Sequence, residues 1–253
     1  MPEPILQVRG VQKRFGPKVV YEDCTLDIYP GETLTIIGGS GTGKSVLLKM
    51  LTGLMHADAG EVVAFGTDIT RLPEREMQPL RRRVAMLFQS GALFDSLTVE
   101  DNVKYPLREH GWGSEADMDA RVAEVLEMVG LPGSQALKPS ELSGGMRKRV
   151  GLARSIAIKP DVVLYDEPTT GLDPINIRRI NGLILSLQER LGVTSVVVTH
   201  DMDTVFTVSD RIAMLHERRI AFVGTVEETR ACPHPWLQSF IAGGRGTLAD
   251  DEG

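Results

Sequence analysis

The sequence predicts an α/β fold built on a mostly parallel sheet, and three observations support that prediction. Apolar, β-branched runs recur along the chain at residues 33–37, 84–88, 162–165, 195–199 and 211–215. Segments with helical spacing separate them, as at 46–54 and 177–191. One of the apolar runs passes straight into a glycine-rich loop and then a helix, which is how an α/β unit begins.

The elements follow in order. Residues 5–8, 19–21 and 26–28 read as short strands, with Phe15-Gly16-Pro17 as a turn. The run at 33–37 leads into Gly38-Gly39-Ser40-Gly41 and the helix after it. Between residues 92 and 159 the character changes. There, Met118, Val122, Val125, Leu126 and Val129 fall on one helical face, and Gly130 is placed to stop that helix. This stretch, about 92–155, reads as a helical insertion. A further helix is expected from about Met146 to Lys159, ended by Pro160. The run at 220–223, after Glu217-Arg218-Arg219, closes a hairpin. Residues 243–253, glycine-rich and then acidic, read as a mobile tail.

Composition narrows the function classes. A chain of 253 residues with 42% hydrophobic and 25% charged side chains has enough apolar material for a core. Its net charge of −6 argues against a general nucleic-acid surface. Basic residues cluster only locally, at Arg81-Arg82-Arg83 and Arg147-Lys148-Arg149. Cys24 and Cys232 make no disulfide framework, so a reducing compartment is the simpler reading. The opening Met1-Pro2-Glu3-Pro4 has no leader-like pattern, and no stretch has the apolar length of a membrane span. Any membrane link is therefore expected to run through a partner.

The strongest chemical signal is Gly38-Gly39-Ser40-Gly41-Thr42-Gly43-Lys44-Ser45, a full match to G-x-x-x-x-G-K-[ST]. Glycines let backbone N–H groups turn toward phosphate oxygens, and the following helix aims its positive end at the same anion. Lys44 is then expected at the β- and γ-phosphates, and the Ser45 hydroxyl at Mg²⁺. The strand at 162–165 ends in Asp166-Glu167. Beside a phosphate loop, Asp166 can hold Mg²⁺ and Glu167 can orient or deprotonate a water.

A phosphate loop alone would admit kinases, GTPases and many ATPases. Leu142-Ser143-Gly144-Gly145 narrows the choice, with Ser143 lying 23 residues before Asp166. It opens a helix whose first turn carries Arg147, Lys148 and Arg149. Positive charge there opposes the helix dipole, at about 0.3–1 kcal/mol per charge. Such a broken local rule suits an anion site. A solvated basic face after a turn explains these three residues equally well.

Taken together, the motifs resemble those of the ATPase subunits of ABC transporters over roughly residues 5–230. Leu142–Gly145 matches the family signature, Gln89 its glutamine loop, Gly171-Leu172-Asp173 its D-loop and His200 its switch histidine. Phe15, 29 residues before Lys44, matches the adenine-stacking aromatic. The resemblance implies a P-loop NTPase fold of the ABC type, with an antiparallel β subdomain, the helical insertion and a C-terminal tail at 231–253. It implies ATP hydrolysis with Mg²⁺, for which Ser45, Gln89 and Asp166 would supply ligands. Glu167, His200, Gln89 and Lys44 would act in catalysis. Phe15, Gly38, Gly39, Ser40, Gly41, Thr42, Gly43, Lys44, Ser45 and Val46 would bind the nucleotide. Ser143, Gly144, Gly145 and Asp173 would reach it from the second subunit of a head-to-tail homodimer.

Three residues depart from the commonest family pattern: Met146 where glutamine is usual, Gly39 where proline is frequent and Val46 where threonine is frequent. With the stretch 88–99 and Asp173-Pro174-Ile175, they resemble the branch that serves bacterial lipid trafficking and outer-membrane lipid asymmetry. That branch implies an integral-membrane permease, an MCE-domain substrate-binding protein and a small STAS-type subunit as partners, and no nucleic acid. It also implies a peripheral location on the cytoplasmic face of the inner membrane. The permease contact is expected near residues 94–103, where Leu93, Phe94, Leu97 and Val99 stand beside Asp95, Glu100 and Asp101. Plain subdomain core explains the same apolar residues. A polar-nutrient importer and a soluble ABC-type ATPase remain the alternative readings.

Overall fold

The computed structural model describes residues 2–243; the acidic end of the expected mobile tail lies outside them. The N-terminal part comprises β1 (Leu6–Phe15), β2 (Lys18–Ile28), β3 (Thr33–Gly38), α1 (Lys44–Leu51), β4 (Ala59–Ala64), β5 (Thr67–Asp68), α2 (Glu74–Arg83) and β6 (Val84–Leu87). Three helices follow, α3 (Val99–Glu109), α4 (Glu115–Met128) and α5 (Gly144–Ile156). The chain then forms β7 (Val162–Asp166), α6 (Pro174–Leu191), β8 (Thr194–Val198), α7 (Met202–Val208), β9 (Arg211–His216) and β10 (Arg219–Thr225). Two short helices, α8 (Val226–Ala231) and α9 (Pro235–Ile241), complete the described chain, so part of the expected C-terminal tail is helical.

The strands form one sheet in the order β5-β4-β1-β2-β10-β9-β3-β8-β7-β6. Strands β9, β3, β8, β7 and β6 are parallel neighbours. β10 returns antiparallel to β9, closing the expected hairpin. Strands β1, β2, β4 and β5 make an antiparallel wing, joined to the rest through one parallel pair, Arg219 with Asp23.

The parallel half reads as unbroken apolar sequence because both of its faces are covered. In β7, Val162 and Leu164 join the core beneath α1, while Val163 and Tyr165 join the core shared with α3–α6. In β8, Val196 and Val198 face the first core and Val197 the second. A third, smaller core holds Ile37, Val205, Ile212, Met214 and Leu237.

The wing differs from the three short strands expected. β1 and β2 are long, and register shifts after Val8 and Val11 break the alternation that would have shown it. Residues 59–83 were not resolved into elements by the sequence reading. α2 buries only Met77 and Leu80 and contains Pro79, so its helical period is faint. In the helical insertion, α4 is started by a reciprocal capping box between Ser114 and Asp117. Gly130 follows it at φ +68°, the left-handed geometry expected of its stop.

Candidate active site

β3, β6, β7 and β8 deliver their C-terminal ends to one edge of the sheet, where α/β proteins place their sites. The edge opens into a cleft of about 730 Å³. Its lining includes Gly38, Gly39, Ser40, Gly41, Gly43, Lys44, Ser45 and Val46 from the loop and α1. Gln89 enters from the end of β6, Glu167 from β7, His200 from β8 and Phe15 from the tip of the wing. Residues 15, 89, 167 and 200 are thus brought together with the phosphate loop. Thr42 is turned from this cleft; its hydroxyl donates to the Gly39 carbonyl at 2.9 Å.

Two glycines are required by contact. A Cβ on Gly38 would meet the Leu215 carbonyl oxygen at 2.7 Å. One on Gly43, whose φ is +105°, would meet the Tyr21 hydroxyl at 2.8 Å. That hydroxyl donates to the Gly43 carbonyl at 2.5 Å, so Tyr21 props the loop from below. Nζ of Lys44 donates to the carbonyls of Gly38 and Gly39 at 2.8 and 3.0 Å. Burial pulls the Lys44 pKa below the usual lysine range, with Glu167 and Asp166 acting against that shift.

The Ser45 hydroxyl donates to Oδ1 of Asp166 at 2.7 Å. These two hard oxygen donors lie at the start of α1, a pairing that suits Mg²⁺. Among the described residues no cluster of three acidic, His or Cys side chains could hold a metal alone. A Mg²⁺ ion here would take its remaining ligands from Gln89, phosphate and water, as this ion commonly keeps few protein ligands. Glu167 has φ +50°, an unfavourable backbone for a non-glycine residue, held by its N–H donating to the Val198 carbonyl at 2.8 Å. Its Oε2 lies 2.9 Å from Nδ1 of His200 and accepts from the Thr170 hydroxyl at 3.0 Å.

Ser143, Gly144, Gly145 and Asp173 do not line the cleft. Ser143 caps α5 by accepting from the Met146 N–H, and Asp173 caps α6 by accepting from the N–H groups of Ile175 and Asn176. The two caps adjoin: a Cβ on Gly145 would meet Asn176 Cγ at 2.8 Å. Ser143, Gly144 and Asp173 are exposed, and beside them Ile175 is 57% exposed.

The basic turn of α5 bonds carbonyls of its own chain, with Arg147 still exposed. Arg147 donates to the Leu142 carbonyl, Lys148 to those of Glu167 and Thr170, and Arg149 to those of Val129 and Gly130. The three charges tie loop carbonyls to α5, which offsets their clash with its dipole. Arg154, one turn later, donates to the carbonyls of Gly91 and Ala92, anchoring the loop after Gln89 to the same helix. The triplet at 81–83 is likewise engaged, with Glu74, His110 and Asp161. In the stretch 94–103, Val99 and Val103 are fully buried core, whereas Phe94 is 43% exposed and packs with its ring tilted against that of the exposed Tyr105, centroids 4.8 Å apart.

Several cleft residues escaped the sequence reading: Lys18, Val20, Thr170 and Phe240. Thr170 could have been found, standing three residues after Glu167 in a turn. Phe240 carries no such signal.

The sequence pattern of the family described as "ABC transporter" matches residues 21–170. The chain is 42% identical over 228 residues to the "Intermembrane phospholipid transport system ATP-binding protein MlaF" of Haemophilus influenzae, covering 90% of this chain and 86% of that one. It is 40% identical over 240 residues to the "Probable ribonucleotide transport ATP-binding protein mkl" of Mycobacterium leprae, covering 95% and 69%. The "Methionine import ATP-binding protein MetN" of Rhizobium johnstonii is 39% identical over 262 residues, covering 99% and 72%. Among solved structures, a dimeric post-hydrolysis state of an ATP-binding cassette bound to ADP and Pi superimposes with a TM-score of 0.81. That cassette is 31% identical, with 87% of this chain and 98% of that one covered.

Proposed function

The chain belongs to the ABC transporter family of ATP-binding subunits, and from that premise we propose that it powers phospholipid movement between bacterial membranes. It is an ATPase, and it binds ATP. Cassettes of this family dimerise and work with a membrane permease. One observation carries the site assignment. Seven of the eight phosphate-loop residues line a single cleft with Phe15, Gln89, Glu167 and His200, and Ser45 there bonds Asp166, while Ser143, Gly144 and Asp173 lie exposed outside it.

In this reading Lys44 leaves the Gly38 and Gly39 carbonyls to meet the β- and γ-phosphates, and loop N–H groups close around them. Ser45 and Asp166 would hold Mg²⁺, whose charge would offset that of the phosphates. Glu167 accepts the proton of the attacking water and His200 orients that carboxylate. Gln89, which lines the same cleft, would stand with Ser45 and Asp166 as a further oxygen donor for the ion. A second copy then lays its Ser143, Gly144 and Gly145 N–H groups on the γ-phosphate, with Asp173 and Ile175 at the seam. Because the γ-phosphate joins the two copies, its loss on hydrolysis removes the contact that favours the closed dimer.

The catalytic unit spans 5–230 in this proposal, with 92–155 as the arm that meets the permease. Among the described residues no helix is long and apolar enough to cross a membrane; in this proposal the permease supplies the attachment to the inner membrane. The lipid assignment is supported by the likeness to MlaF and by Met146, Gly39 and Val46, where the lipid-trafficking branch departs from the common pattern. An MCE-domain protein and a small STAS-type subunit complete the assembly. The likeness to MetN supports methionine import as the second reading. Reconstitution with the co-purified permease in labelled proteoliposomes tests the choice. ATP-dependent phospholipid transfer is expected; ATP-dependent methionine uptake without lipid transfer would replace the proposal with the second reading.

A further inference from the structure

The nucleotide cleft has two aromatic walls, and one of them comes from the far end of the described chain. Phe15 stands at the tip of β1, 45% exposed. Phe240 stands on α9 and lines the same cleft as Gly38–Gly41, Lys44 and His200. No feature of the phosphate-loop chemistry requires an aromatic ring from a C-terminal helix.

α9 is fixed without help from the cleft. Leu237 is fully buried in the small core with Ile37, Ile212 and Met214. Trp236 stacks on His216 at 4.8 Å and on His234 at 5.2 Å. The Gln238 amide donates to the Cys232 and Arg230 carbonyls, tying α9 to the end of α8. Ile37, against which this core packs, immediately precedes Gly38 of the loop. The helix therefore has anchors besides Phe240, which is half-buried against the same core and also presents a face to the cleft.

We infer that Phe240 is a nucleotide-positioning residue, closing the cleft against water beside the phosphate loop and linking nucleotide occupancy to α9. The inference rests on ATP occupying this cleft, as proposed above. An apolar ring lining the cleft lowers the local dielectric and would strengthen the loop's hydrogen bonds to a bound anion. Phe240 already packs against the small core of Ile37, Ile212 and Met214; a bound nucleotide adds a second contact on its cleft side, and α9 becomes more rigid.

The chain contains two tryptophans, Trp112 and Trp236, which supplies a reporter. In a full-length Trp112→Phe background, Trp236 emission reads α9 while ADP is titrated, so no turnover intervenes. An emission change on ADP binding is expected. Phe240→Leu, which keeps apolar volume, is expected to weaken ADP affinity about three- to tenfold and to abolish the emission change. Phe240→Tyr, which keeps the ring, is expected to restore both. Thermal midpoints of both variants are expected to stay near the parent's, since Leu237 and Trp236 still hold α9. ADP affinity of Phe240→Leu within about twofold of the parent overturns the inference. So does an emission that ignores ADP in the parent. Lys44→Ala serves as the separating arm. If it too leaves ADP affinity unchanged, the cleft assignment has failed; if it loses binding while Phe240→Leu does not, only the role of Phe240 falls.

Discussion

Nδ1 of His200 stands 2.9 Å from Oε2 of Glu167, and the Thr170 hydroxyl donates to that same oxygen at 3.0 Å. Both tethers grip one oxygen, and Oε1 is the atom that the proposed mechanism offers to an attacking water. Glu167→Gln keeps the shape and removes the proton acceptor. Turnover should fall by about 10²–10⁴-fold with ATP affinity retained. The variant should collect as an ATP-bound dimer on size exclusion, and wild-type ATPase rates in it would refute the role of Glu167.

Lys44→Ala removes the cation proposed to meet the phosphates together with its two carbonyl bonds. ATP affinity should drop by well over about tenfold, since a charge-assisted contact is lost. Equilibrium titration with ATP measures it; an unchanged constant would displace Lys44 from the phosphates.

Ser143→Arg should leave ATP binding by the monomer near normal and stop hydrolysis, because Ser143 lies outside its own cleft. Mixed with Lys44→Ala subunits, it should regain partial activity in heterodimers, where one site carries both defects and the other neither. Loss of ATP binding in the Ser143→Arg monomer would mean that the signature acts within one chain.

The permease contact is best tested at Phe94 and Tyr105. Reversing Glu100 or Asp101 would disturb internal pairs, since Glu100 binds the buried Lys104 at 2.9 Å and Asp101 bonds Thr98. Phe94→Ser with Tyr105→Ser removes an exposed aromatic pair. Co-sedimentation with permease-containing membranes should be lost and ATP affinity kept. Undiminished sedimentation would move the contact elsewhere.

Arg121 is 4% exposed and donates to the carbonyls of Ile156 and Ala157 at 2.7 and 2.9 Å, capping the last turn of α5. Arg121→Met leaves both carbonyls without that donor. Stability should fall by about 2–3 kcal/mol in urea unfolding. An unchanged midpoint would show that water replaces the guanidinium.

The contiguous parts of the site were legible because local chemistry constrains them. Gly38–Ser45 and Asp166-Glu167 carry their own geometry in their residue types, and the parallel strands betray themselves by burial on both faces. Tyr21, Phe240 and the basic turn of α5 did not, because their partners are remote in sequence. The carbonyls that occupy Lys148 and Arg149 belong to 167, 170, 129 and 130, and only the folded chain brings these together. Bulges hid the full length of β1, and the polar surface of α2 hid that helix.

The pairing of β3 with β8 and β9 sets a schedule for making the protein. The Thr33 N–H is satisfied by Asp210, 177 residues further on, and Leu34 pairs with Arg211. On the ribosome, β3 is synthesised early but waits for nearly the whole remaining chain before either neighbour arrives. During that interval Leu34, Ile36 and Ile37 form an unpartnered apolar edge, the kind of segment that recruits other chains. Long-range parallel pairing of this sort is slow to form. A translation pause or truncation before residue 211 therefore yields a chain that contains every residue of the phosphate loop and cannot complete its strand pairing, a natural client for a chaperone.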